Sequence, residues 1–137
     1  MKELIVLLEC VRQTARDCHY RAAGPCFYGQ HLLADVISEP IGGFIDRINE
    51  VCFLGSEKPA PTSKEINGDL IGILPATITN SVDRAIYHIE SLCSDADKRA
   101  IPLMQGELNL LGEISEHLMK CKGLLWRQGL EEGDVDE

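Results

Sequence analysis

The segment HYRAAGPCFYGQH, residues 19–31, begins and ends on histidine and has Pro25 at its midpoint. If the chain runs helix, turn, helix, His19 and His31 lie at the same height on two antiparallel rods, where two imidazoles can share a metal ion. Asp35 follows His31 by four residues, so both project from one helical face. Asp46 and Glu50 repeat that spacing farther along. Two imidazoles with three carboxylates suit Fe(II), Mn(II) or Zn(II) better than a thiophilic metal. Such a set leaves coordination positions open for an oxidant.

Reach decides how these donors can combine. From His31 to Asp46 is fifteen residues, about four turns plus 60°, so the two pairs look out over a similar side of one helix. They are also roughly 22 Å apart along it, whereas metal–ligand bonds are about 2.0–2.6 Å. One ion cannot touch both pairs of one chain. A two-fold axis near the middle of that helix would set His31 and Asp35 of one subunit against Asp46 and Glu50 of another. That isologous contact makes two identical sites at once.

The elements that must hold these residues read as helices. Leu4, Leu8, Val11, Ala15, Cys18 and Ala22 recur at spacings of three and four, the stripe of an amphipathic helix ended by Gly24-Pro25. A second helix is predicted from near Tyr28, with Leu33, Ile37, Ile41, Phe44, Ile48 and Val51 as its stripe. Pro40 and Gly42-Gly43 predict a kink there, because the apolar period survives on both sides. GSEKPAPTSKE is a loop, followed by a short helical stretch through INGDLIGILP. The next helix runs from about Thr79 with Val82, Ile86 and Ile89 on one side. CSDADKRAIP reads equally as loop or as helix end and start. The last helix carries Leu103, Leu110, Ile114, Leu118, Cys121 and Leu125 and ends near Trp126 or Gly129, with a disordered tail from about 130. Strand alternation is not sustained anywhere. The fold class is therefore all-α, with four long helices and a short one between the second and third.

Composition narrows the function classes. With 137 residues, 45% hydrophobic and 26% charged, the chain reads as one globular domain. The net charge of −9 and the acidic LEEGDVDE end argue against holding duplex DNA by its phosphates and suit attraction of cations. No apolar run is long enough to span a bilayer. MKELIVLLECVRQ lacks a cleavable signal pattern and reads as the start of a helix in a cytoplasmic protein. The six cysteines form no C-x-x-C pair and read as reduced thiols.

The pattern H-x(11)-H-x(3)-D-x(10)-D-x(3)-E, with G-P-x-F after the first histidine, resembles the ferroxidase site of the miniferritins, the DNA-protection-during-starvation (Dps) family. It is carried by His19, Gly24-Pro25-Cys26-Phe27, His31, Asp35, Asp46 and Glu50. The resemblance continues into EVCFLG and, less specifically, EHLMKCKGLLW, covering about residues 4 to 127. It implies a ferritin-like four-helix bundle assembled by two-fold dimers into a hollow dodecamer, one such domain over residues 1–137. It also implies that Fe(II) is oxidised at a dinuclear site on the two-fold interface, with hydrogen peroxide or dioxygen, and stored as ferric mineral. Zinc or manganese would be able to take the place of iron. Two irons acting together deliver two electrons to peroxide; a single iron would release hydroxyl radical. The implied role is protection from oxidative damage.

The chain departs from the family in places. Tyr20 stands where the family has tryptophan, and Pro40 and Gly42-Gly43 lie between the paired ligands. The long N-terminal extension that commonly binds DNA is absent, so no DNA binding is expected. Glu-x-x-His, the signature of ferritins with both irons inside one bundle, does not occur.

Plainer readings stand beside these. Each of the five ligands alone is an ordinary solvated helix residue, and the same fold could serve as a non-catalytic assembly or binding protein with a degenerate site. His88 and His117 read as surface or hydrogen-bonded core residues. Cys18 and Cys26 read as small apolar filler or as thiols oxidised near iron. Asp95, Asp97, Glu107 and Glu113 read as helix caps and solvated surface, or as the lining of an ion pore at a three-fold axis.

Overall fold

The computed structural model describes residues 1–95, 99 and 101–128. Among these there is no strand; they form α1 (Lys2–Arg21), α2 (Phe27–Ser38), α3 (Ile41–Ile48), a π-helical segment (Asn49–Leu54), α4 (Ser63–Ile71), α5 (Ile78–Ser94) and α6 (Gln105–Gln128). The chain is all-α. Asp97 and the tail from about 130 lie outside the described residues.

The apolar stripes do what their period predicts. Leu4, Leu8, Val11 and Ala15 of α1 are fully buried, as are Val82 and Ala85 of α5 and Ile114, Leu118 and Cys121 of α6. Each large aliphatic side chain buried this way stabilises the fold by roughly 1.5–3 kcal/mol. α1 packs against α2 and α5, and α6 packs against α5 and α2, so the long elements surround one core. α4 lies on α1. It begins with a capping box in which Thr62 and Glu65 satisfy each other's backbone N–H groups.

The second predicted helix is divided. α2 stops at Ser38 and α3 starts at Ile41, with Glu39 and Pro40 still in right-handed helical backbone. Pro40 has no N–H to give the Val36 carbonyl, so the helix is interrupted while its direction of winding persists. His117 of α6 compensates at this joint: its Nε2–H donates to the Ile37 carbonyl at 3.2 Å, one of the last-turn carbonyls that a helix leaves without an internal partner.

Beyond Ile48 the helix widens. Gly55 N–H bonds the Glu50 carbonyl at 2.9 Å, a bond spanning five residues. The wider turn moves the buried position to Cys52, while Val51, placed on the apolar stripe by its sequence spacing, is exposed. Gly55 is required here, since a Cβ would sit 2.7 Å from the Val51 carbonyl oxygen.

Candidate metal centre

The turn between α1 and α2 sets the two histidines face to face. Gly24 has φ +91°, a backbone conformation open to glycine. The Ala22 N–H closes the end of α1 on the Cys18 carbonyl at 2.9 Å. Phe27 N–H then bonds the Gly24 carbonyl at 3.1 Å, starting α2 immediately. The resulting hairpin brings His19, in the last turn of α1, level with His31 of α2. Their rings stack with centroids 3.7 Å apart and planes 23° from parallel.

The hydrogen bonds of this pair are reciprocal. His19 Nδ1 lies 3.0 Å from the His31 carbonyl, and His31 Nδ1 lies 2.8 Å from the His19 carbonyl. A carbonyl oxygen only accepts, so each Nδ1 carries the proton. In the neutral rings both Nε2 atoms therefore keep their lone pairs, the form that binds a metal. Asp35 adds a carboxylate: its Oδ1 is 3.2 Å from His19 Nδ1. A carboxylate at that distance helps to fix the orientation of the His19 ring.

His19, His31 and Asp35 are thus brought together. Asp46 on α3 and Glu50 on the π-helical segment stand beyond the Pro40 joint, both exposed. Among the described residues, no group of three or more His, Cys, Asp or Glu side chains is arranged to hold a metal ion within one chain. The elements that carry these residues also expose apolar side chains. Tyr28, Leu32 and Val36, spaced by four on α2, are exposed, as are Val51 and Leu54 on the π-helical segment.

The remaining titratable groups have local explanations. Glu107 accepts from the Met104 N–H at 2.9 Å, at the start of α6, and Glu113 pairs with Arg47 of α3. Asp95 is the C-cap of α5. Burial lowers the pKa of His117, whose ring reaches the Ile37 carbonyl and lies 5.7 Å from Phe44. Cys10, Cys26, Cys52, Cys93 and Cys121 are free thiols. His117 is the hydrogen-bonded histidine that the sequence offered as one of its two readings; sequence spacing did not reveal Arg47, whose exposed pair with Glu113 links α3 to α6.

No protein-family model matches this chain, and neither a curated protein nor a solved structure matches it. No helix of the described residues is long and apolar enough to cross a membrane.

Proposed function

We propose that this chain is a Dps-like miniferritin: a ferritin-like subunit that oxidises Fe(II) at a dinuclear site completed across a two-fold subunit interface and stores ferric iron in a hollow oligomer. The observation that supports this reading is the reciprocal lock between His19 and His31, which engages both Nδ1 atoms and leaves both Nε2 atoms as the candidate metal donors, with Asp35 on the Nδ1 side of His19.

Iron is the substrate here. Two Fe(II) ions and one hydrogen peroxide, with two protons, give two Fe(III) ions and two waters, so no one-electron product escapes. His19 and His31 offer neutral nitrogen donors. Asp35 steadies His19 and keeps its second oxygen available. Asp46 and Glu50 of a second chain supply the carboxylates that balance the rising charge on iron. Covering Tyr28, Leu32 and Val36 by that second chain removes apolar surface from water.

A complementation experiment tests both halves of the reading. His31→Ala/Asp35→Ala and Asp46→Ala/Glu50→Ala chains are each expected to oxidise Fe(II) no faster than buffer. Co-assembled in equal amounts they restore about a quarter of the wild-type rate, because half of the dimers carry one intact site out of two. Failure of mixing to restore activity would show that the donors are not shared between chains. The second reading, a non-catalytic assembly with a degenerate site, is favoured by the interruption at Pro40 and the widened turn at Glu50. It predicts a wild-type protein no faster than the His31→Ala/Asp35→Ala variant when peroxide is added to anaerobically loaded Fe(II).

A further inference from the structure

A second concave site lies away from the histidine hairpin, where α1 meets α5. Glu3 stands opposite His88 and Cys10 opposite Ser81, so the two helices run antiparallel and Arg84 lies level with Leu7. Together with the end of α4 they line a cleft of about 540 Å³, within the size range of small-molecule sites. It contains none of the five candidate iron ligands. Val6, Leu7 and Ile73 give it an apolar lining, and the exposed ring of Tyr87 stands at its edge.

Two opposite charges line this cleft and are not paired. Among the described residues, the ion pairs made by Lys and Arg go to Asp69, Glu9, Glu113 and Asp83. Neither Glu3 nor Arg84 takes part in one, although both line the same cleft. Among the described residues, the one side chain within ion-pair distance of Glu3 is His88, at 3.9 Å, too far for a hydrogen bond. Burial lowers the pKa of His88, so its ring is uncharged at pH 7 and does not neutralise the Glu3 carboxylate. The cleft's other carboxylate, Asp69, is met by Lys2 at 3.3 Å. Arg84 lies one turn of α5 from His88, which sets the roots of the two unpaired charged side chains about 6 Å apart along the helix axis. The cleft thus offers one anion and one cation over a shared apolar lining.

We propose that this cleft binds a zwitterionic α-amino acid with a large apolar side chain, of the leucine or phenylalanine class, its ammonium group on Glu3, its carboxylate on Arg84 and its side chain against Val6, Leu7 and Ile73. The planar fork of an arginine matches a carboxylate with two parallel N–H bonds. A ligand carrying a single charge satisfies one of the two groups and is repelled by the other, whereas a zwitterion satisfies both. The apolar lining provides most of the burial and the two charges provide the orientation. This inference is independent of the iron chemistry.

Titration of the 15N-labelled protein with L-phenylalanine, phenethylamine and 3-phenylpropionate at pH 7 tests it, because the last two keep the ring and each lack one of the charges. L-phenylalanine is expected to shift the amides of Val6, Leu7, Ile73 and Tyr87 saturably. Each single-charge probe is expected to bind about fivefold more weakly, the worth of one partly exposed ion pair. Glu3→Gln should weaken phenylalanine and phenethylamine by that factor and leave 3-phenylpropionate no weaker; Arg84→Gln should weaken phenylalanine and 3-phenylpropionate and leave phenethylamine no weaker. Both positions are exposed, so neither change disturbs the core. Equal binding of the three probes to the wild-type protein would overturn the proposal without recourse to any variant. So would a phenylalanine affinity unmoved by either substitution, or the absence of saturable shifts with L-phenylalanine up to its solubility.

Discussion

Replacing His31 with phenylalanine separates the packing of its ring from the chemistry of its nitrogens. The aromatic body that stacks on His19 at 3.7 Å is kept. The Nδ1–H donated to the His19 carbonyl at 2.8 Å is lost, together with the Nε2 lone pair. That carbonyl lies in the last turn of α1, where water can replace the donor, so the stability loss is about 1 kcal/mol. An unfolding entropy of about 2.1 cal/mol/K per residue over 137 residues converts this to a Tm lower by about 3–4 °C. Iron chemistry should change far more. On the proposed function each shared site loses one of its two imidazoles, although His19 keeps its bond to the backbone carbonyl of residue 31, and Fe(II) binding weakens by about 100-fold, or about 2.7 kcal/mol. Thermal unfolding followed by circular dichroism gives the first quantity. Ferric absorbance after adding peroxide to anaerobically loaded Fe(II) gives the second. A variant with the small Tm shift and a wild-type oxidation rate would refute the metal assignment. A Tm collapse of tens of degrees would refute the view that the pair is locked by ordinary, water-replaceable hydrogen bonds.

Three further outcomes are expected. Gly24→Ala meets no atom within 4 Å, so its cost is backbone strain at φ +91° alone; a loss of about 1–2 kcal/mol, or about 4–7 °C in Tm, should appear in a thermal melt, and an unchanged Tm would show that the turn relaxes. His88 and His117 have pKa values lowered by burial. Their neutral forms therefore contribute stability above pH 6.5 that is lost as the pH falls through the lower folded values. Urea midpoints measured from pH 7.5 to 5 should decline, and less so in His117→Gln. Burial pushes the thiols of Cys52 and Cys121 up to about 11, with the Glu107 carboxylate adding to the effect at Cys52. Their stability contribution is intact below the ordinary thiol value of 9 and is lost as the pH rises through 11. Iodoacetamide at pH 8 should accordingly label exposed Cys26 well before either.

Local periodicity was sufficient to lay out most of this protein. Leu4, Leu8, Val11 and Ala15, and likewise Ile114, Leu118, Cys121 and Leu125, are buried where a 3.6-residue repeat puts them. Equal spacing of His19 and His31 about Pro25 was enough to place the rings level, because a short turn and a constant helical rise leave little freedom. What periodicity could not supply is every contact that joins one element to another. The exchange of Nδ1–H bonds between His19 and His31, and the Asp35 carboxylate on His19, depend on how closely α1 and α2 approach. Whether Pro40 kinks or divides the helix depended on His117, eighty residues beyond Ile37 in the chain, being there to take up the Ile37 carbonyl. The shift of the buried position from Val51 to Cys52 follows from a five-residue hydrogen bond closed at Gly55, an alternative that a stripe read at one fixed period does not contain. Residue order sets which side chains can share a face; the packing of the helices sets which polar atoms are satisfied, and so which nitrogens are left to do chemistry.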